Sequence, residues 1–316
     1  MRHPTRMDLV QSPIIPAINA IVAECPGTVY LGQGVVHYGP PPAAIEAVRR
    51  ALAEPSTHEY HSAAGLPQLL DRIAAKLAAE NHIDVKRGRG LMVTAGANMA
   101  FCHAVQAITA PGDEVILNAP YYFNHEMAIE MSDCVAVSVA TDAAYQPRLD
   151  ALRAAITPRT RAIVTVTPNN PSGAVYGEAL LRALDALCRE HGIYHICDET
   201  YEYFTYGSAR HFSVGSLPGA EERTISIYSL SKAYGFAGWR IGYMAYPAHL
   251  ESAMAKIQDT VLICAPVASQ VAATAALDVG RAYCEPFVRG LAEVREIVLS
   301  QLSTLAPRKL TRYPLS

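Results

Sequence analysis

From Leu91 onward the chain alternates short β-rich runs with longer helical ones, and this alternation narrows the choice of folds more than any other feature. Leu91–Thr94 reads as a strand and Asn98–Thr109 as an apolar helix, closed by Pro111 and Gly112. Glu114–Leu117 and Val135–Val139 read as further strands. Ala162–Thr167 is apolar enough along its length for a strand buried on both faces. Glu178–His191 has the pattern of an amphipathic helix, with Gly192 placed as its C-terminal cap. Ile193–Cys197, Thr224–Tyr228 and Ile241–Tyr246 supply three more strands. Strands separated by helices of this length predict an α/β fold, a mostly parallel sheet sandwiched by helices.

The two ends break the pattern. Residues 1–38, rich in Pro and Gly, read as an arm leading into a large domain over 39–285. A helical pattern from Ala282 to Leu302 reads as leaving that domain, so residues 286–316 are expected to begin a smaller one. Of 316 residues, 51% are hydrophobic and 17% charged, enough apolar matter for one large core and a satellite. The net charge is −3 with acids and bases interspersed, which predicts no nucleic-acid partner. No apolar run approaches the roughly 20 residues that a membrane helix needs. The seven cysteines lack any paired spacing and suit reduced thiols, hence a cytoplasmic chain. The histidines share no ligand spacing, so no metal is expected; His103, on an apolar helix face, reads as a core histidine with an internal partner.

In an open parallel sheet, ligands gather at the carboxyl ends of the strands. Most of the chemically suggestive residues follow such ends. Lys232 lies in Ser229-Leu230-Ser231-Lys232, and Gly238-Trp239-Arg240-Ile241-Gly242 comes soon after. A lysine alone suits a surface turn as well as a ligand contact. Neighbouring hydroxyls and an arginine in a glycine-flanked segment favour an anion-binding turn. Asp198 ends an apolar strand, where its charge needs a partner, either as a helix cap or as a ligand acid. Thr167-Pro168-Asn169-Asn170-Pro171-Ser172-Gly173 suits a turn. Gly96-Ala97-Asn98 lies where a strand gives way to a helix, and backbone amides there can receive an anion. In Asn118-Ala119-Pro120-Tyr121-Tyr122, either tyrosine suits core packing or ring stacking.

The S-x-S-K-x-x-x-x-x-G-x-R-x-G spacing from Ser229 to Gly242 resembles the signature of class I/II, fold-type I aminotransferases that use pyridoxal 5′-phosphate, the aspartate/aromatic aminotransferase-like kind. The resemblance implies that Lys232 forms the Schiff base with the cofactor and is the catalytic base. Ser229 and Arg240 would bind its phosphate, with Gly96, Ala97 and Asn98 as backbone ligands. Asp198-x-x-Tyr201 matches the pair that holds the ring nitrogen and the phenolic oxygen, and Asn170 would bridge that oxygen and the substrate carboxylate. Tyr122 is expected to stack on the ring, with Tyr121 as runner-up. Gly34, in Leu31-Gly32-Gln33-Gly34, resembles the glycine whose backbone meets the substrate carboxylate. Tyr60 resembles the tyrosine that reaches the phosphate of a neighbouring subunit, which implies a homodimer with shared active sites.

The activity so implied is transfer of an amino group from an L-amino acid to a 2-oxo acid, 2-oxoglutarate by preference, through an aldimine and then a ketimine. A C–S lyase or related synthase of the same fold, or a cofactor-binding module with weak activity, shares the lysine and the aspartate. The resemblance runs from about residue 28 to about 302. Relatives are expected to continue for several tens of residues, forming most of the small domain and carrying the arginine for the substrate α-carboxylate. The chain therefore reads as a truncated form with an incomplete small α/β domain, able to bind the cofactor but transaminating poorly. Arg308 and Arg312 lie in no matching motif.

Overall fold

A computed structural model describes residues 5–304, so Arg308 and Arg312 lie outside the described residues. Its centre is a seven-stranded sheet formed by β1 (Arg89–Thr94), β2 (Glu114–Ala119), β3 (Val135–Ala140), β4 (Thr160–Val166), β5 (Tyr194–Asp198), β6 (Thr224–Ser229) and β7 (Gly242–Pro247). The order across the sheet is β1-β7-β6-β5-β4-β2-β3, and β7 alone runs antiparallel to its neighbours. The helices are α1 (Ile14–Glu24), α2 (Pro42–Ala51), α3 (Pro67–Glu80), α4 (Ala97–Ile108), α5 (Phe123–Met131), α6 (Leu149–Ala155), α7 (Glu178–His191), α8 (Leu230–Ala233), α9 (Glu251–Val261), α10 (Val267–Val279) and α11 (Glu285–Thr304). No described helix is long and apolar enough to cross a membrane.

Alternate residues of each strand feed opposite faces, as the two-residue period of a strand requires. Val115 and Leu117 of β2, Ile196 of β5, and Ile225 and Ile227 of β6 join Phe101 and Val105 of α4 and Met254 of α9 in one core. Ile116 of β2 and Cys197 of β5 point the other way, onto Leu181, Leu184 and Cys188 of α7. A third cluster gathers α2, α3 and α10 over Tyr228 and Tyr243, with Ile73, Leu77, Ala272 and Ala273 fully enclosed. Every expected strand and helix is present, with ends within a few residues, and Gly192 caps α7 in the left-handed conformation. His103 is a core histidine, its Nε2 donating to Gln258 Oε1 at 2.7 Å.

One element departs from the expectation. The arm contains an eleven-residue helix, α1, with no buried residue. Its prolines, Pro13 and Pro16, stand at the N-cap and in the first turn, where a missing N–H costs no helical bond. The Pro and Gly content that makes residues 1–38 read as an arm conceals this helix.

The topology brings the carboxyl ends of β1, β2, β4, β5 and β6 to one rim, each continuing into a segment that the sequence singled out. The enclosed face of α3 anchors this arrangement from behind. Leu77→Ala, which empties a fully buried site in the cluster beneath Tyr228, is expected to cost about 2–5 kcal/mol in urea unfolding without removing the fold.

Candidate active site

At that rim lies a cavity of about 630 Å³. Among its lining residues are Ala97 and Asn98 from the start of α4, Tyr122 before α5, Asn170 after β4, Asp198 and Tyr201 after β5, and Ser229, Ser231 and Lys232 after β6. Arg240 completes the wall, and Gly34 closes it from the arm.

Asp198 carries the strongest constraint. It is 6% exposed, at the end of a strand enclosed on both faces. Burial pushes its carboxyl up, but the hydrogen bond and charge of His125, with the Thr200 amide, hold it below the ordinary carboxylate range. His125 Nε2 stands 3.2 Å from Oδ2, while Thr200 N donates to Oδ1 at 3.0 Å. His125 is itself buried, stacked on Phe101 at 3.9 Å and edge-on to Tyr122 at 5.3 Å. The sequence assigns no histidine to catalysis or metal and places His125 only where relatives carry a further aromatic, so its pairing with Asp198 is what sequence reasoning misses. The signal that could have found it is its place three residues after Tyr122, one helical turn along the same face.

The turn that carries Asp198 and Tyr201 is fixed from its other side. Glu199 accepts from Ser213 and lies 2.7 Å from His211 Nε2. Glu202 is paired with Lys76 of α3 at 2.5 Å and accepts from Asn81 at 2.8 Å. Asp198, Thr200 and Tyr201 thus face the cavity, while Glu199 and Glu202 of the same short segment enter a buried polar network. Tyr201 is pushed up to about 12 by burial and by the nearby charge of Asp198, although a hydrogen bond with Asn170 opposes this. Its hydroxyl therefore stays protonated and available as a donor.

The anion site is built by close approach. Gly96 has φ +88, and a Cβ there would collide with the Arg240 guanidinium. Gly242, at the start of β7, lies so near that its Cβ would fall 2.9 Å from Ala97 N. These two glycines let Arg240 sit against the amino end of α4, where amides and helix dipole both favour an anion. Gly96 shapes this site without lining the cavity, whereas Ala97 and Asn98 line it. Arg240 donates to the carbonyls of Ala237 at 3.0 Å and Ala95 at 3.4 Å. Ser229 caps α8 by accepting from Ser231 N at 3.1 Å.

Lys232 donates through Nζ to the carbonyl of Gly34. Burial, then the charge of Arg240, lowers its pKa from the usual lysine value. In the adjoining loop the two asparagines divide: Asn169 is buried, accepting from Ser172 and bonded to Tyr176, while Asn170 faces the cavity. Tyr122 also faces it, with Asn124 donating to its hydroxyl at 2.7 Å. Tyr121 does not line the cavity; it packs in the core and donates to Glu126 at 2.6 Å. Tyr60 is 81% exposed and lines no part of the cavity of its own chain.

These groups fit pyridoxal phosphate. An amine of lowered basicity suits an aldehyde, a buried ionised carboxylate suits a pyridinium nitrogen, and the Gly96 cradle with Arg240 and Ser229 suits a phosphate.

The sequence profile of the family "Aminotransferase class I and II" matches residues 26–308. The chain is 35% identical over 302 residues to the aromatic aminotransferase ISS1 of Arabidopsis thaliana, covering 93% of this chain and 74% of that protein. It is 36% identical over 282 residues to the aspartate/prephenate aminotransferase of Thermus thermophilus, covering 88% and 72% respectively. Against a probable aspartate/prephenate aminotransferase of Thermus aquaticus it is 40% identical and spans 60% of that protein's length. A solved structure of the Thermus thermophilus aspartate aminotransferase with maleate superposes with a TM-score of 0.90 at 33% identity, covering 96% of this chain and 81% of that one.

Because His125 is what keeps the buried Asp198 ionised, His125→Phe is expected to destabilise the chain at pH 7 by about 1.5–3 kcal/mol, as for a lost hydrogen bond to a charged group. A depressed carboxylate pKa contributes stability above the unfolded value of about 4 and loses it as pH falls through the native value. Urea unfolding should therefore give a deficit that narrows in acid.

Proposed function

The chain belongs to the pyridoxal-phosphate-dependent class I and II aminotransferases, and on that premise we propose that it moves the amino group of an L-amino acid onto a 2-oxo acid. The observation that carries this reading is the convergence, on one cavity, of a lysine of lowered basicity, an ionised buried aspartate and an anion site at a helix amino end. The names of the relatives support aspartate or an aromatic amino acid as donor, and 2-oxoglutarate is the proposed acceptor.

Bound here, pyridoxal phosphate supplies an electrophilic carbon that condenses with amines and a ring that withdraws electrons from the neighbouring bonds. Lys232 holds the cofactor through Nζ, while Arg240, Ser229 and the Gly96-Ala97-Asn98 backbone hold its phosphate. Tyr122 supports the ring, and Asn170 and Tyr201 hold the phenolic oxygen. Asp198, kept ionised by His125, holds a proton at the ring nitrogen. Once its Nζ is free, Lys232 would take the substrate Cα proton and return it on the far side of the intervening nitrogen. Its lowered basicity leaves more free amine for that task at neutral pH. The Gly34 backbone and Asn170 receive the substrate carboxylate.

The working unit in this reading is a cytoplasmic homodimer. Tyr60 at 81% exposure and Leu31 at 89% support a second copy that covers the arm and lends its Tyr60 to the phosphate.

Lys232→Ala should abolish both the borohydride-reducible cofactor linkage and turnover, and retained turnover would overturn the assignment. Arg240→Gln should weaken cofactor binding roughly ten- to hundredfold, the loss of a charge-assisted contact. With that positive neighbour gone, the apparent pKa of Lys232 should rise, read from the pH dependence of amine acylation in the apoenzyme.

A further inference from the structure

Lys232 is held at both of its ends by one short segment of the arm. Its ammonium donates to the carbonyl of Gly34. Its own backbone carbonyl accepts from the Tyr38 hydroxyl at 2.9 Å, which lies 3.4 Å from the Ala233 carbonyl as well. The segment is pressed against the chain just beyond the lysine. Gly235 has φ +70, and a Cβ there would stand 2.5 Å from the carbonyl oxygen of Tyr38. Residues 34–38 are therefore a strap laid along the catalytic turn.

The other side of the strap is fastened to α11. The Tyr38 ring stacks on Phe287 with centroids 3.9 Å apart and planes at 11°. His37 meets the same ring edge-on at 5.9 Å. Tyr283, just before α11, donates to the carbonyl of Gly39 at 2.6 Å. Burial pushes the Tyr38 hydroxyl pKa well up, so it remains a donor throughout the working range. A single tyrosine thus joins the backbone of the cofactor lysine to the helix that leaves the sheet.

We propose that Tyr38 is a positioning residue for Lys232: its hydroxyl fixes the lysine backbone, and its stack on Phe287 ties that backbone to α11. Tyr38 is not itself a lining residue and touches none of the reacting atoms, so its effect is exerted through the Lys232 backbone. The Gly34 contact alone restrains the flexible end of a long side chain. The Tyr38 bond restrains its root, and so limits the directions from which Nζ can meet a carbon in the cavity.

This inference rests on Lys232 being the cofactor lysine. The test measures the rate at which the full apo chain captures pyridoxal phosphate in a borohydride-reducible linkage, followed by absorbance, together with the thermal midpoint. Tyr38→Phe keeps the ring and its stack and removes only the donor. Capture is expected to slow roughly three- to tenfold, the worth of one neutral hydrogen bond, with the midpoint unchanged. In turnover the same variant should lower kcat and leave KM in place, a split that general destabilisation does not produce. Phe287→Ala keeps the hydroxyl and removes its support; it should slow capture in the same direction. Capture at the unaltered rate in Tyr38→Phe would overturn the proposal, and an unaltered rate in Phe287→Ala would overturn the link to α11. Failure of the unaltered chain to capture the cofactor would sink the reading of Lys232, and the strap with it.

Discussion

A carboxylate at the end of a buried strand is the constraint on which the site depends. Removing a charge from water costs several kcal/mol unless partners replace the solvent, and a buried acid without them takes up a proton instead. Asp198 stays ionised because His125 and the Thr200 amide occupy both of its oxygens. This dictates much around it. His125 must be buried, which requires Phe101 of α4 beneath it and Tyr122 at its edge. The turn must be rigid, which Glu199 and Glu202 secure through their buried partners. The helix whose amino end faces Arg240, α4, is the same helix that supports the histidine.

The environments of the two titrating groups are opposed in a useful way. Burial acts on both Asp198 and Lys232 by penalising charge. At Asp198 specific donors overcome that penalty, so the acid stays charged. At Lys232 burial is joined by the like charge of Arg240, so the amine is biased toward its neutral form. One cavity therefore holds a permanent anion on one wall and a weakened base on another, which is the separation of roles that proton transfer at a carbon needs.

The inner strands were legible because each is a short apolar run bounded by helical periodicity, and two-sided burial forces that pattern; β3, at the sheet edge, has only Val139 buried. The order β1-β7-β6-β5-β4-β2-β3 was not legible, since nothing local in Gly242–Pro247 says that this strand runs antiparallel between β1 and β6. The cavity residues were legible through motif spacing, yet spacing could not separate neighbours that do different work. Tyr122 and Tyr121 are adjacent and equally aromatic; only the direction in which the chain enters α5 sends one to the cavity and the other to Glu126. His125 was hidden for a related reason. Its place one turn after Tyr122 is a signal only once α5 is known, and its partner Asp198 stands at the end of β5, far away in sequence. The α1 helix was hidden because prolines mark both helix starts and helix breaks, and composition does not distinguish the two.

The cavity is unequally finished, and this asymmetry has a physical cause. Its inner wall is made by strand ends, whose positions are fixed by the sheet and whose side chains are held by buried bonds. The outer wall is made by Pro13, Ile15 and the Gly32–Val35 segment, where Val35 is 61% exposed. A cofactor that stays through many cycles is best served by the rigid wall, since preorganised donors need no rearrangement to stabilise charge. The outer wall, by contrast, has few buried bonds within this chain, and in the proposed dimer the second copy would supply its cover. The strap from Gly34 to Tyr38 lies where the two walls meet. It belongs to the exposed arm by sequence but is bonded to Lys232 at both ends of that residue. Any movement of the arm is consequently felt at Lys232, the side chain proposed to serve both cofactor and substrate.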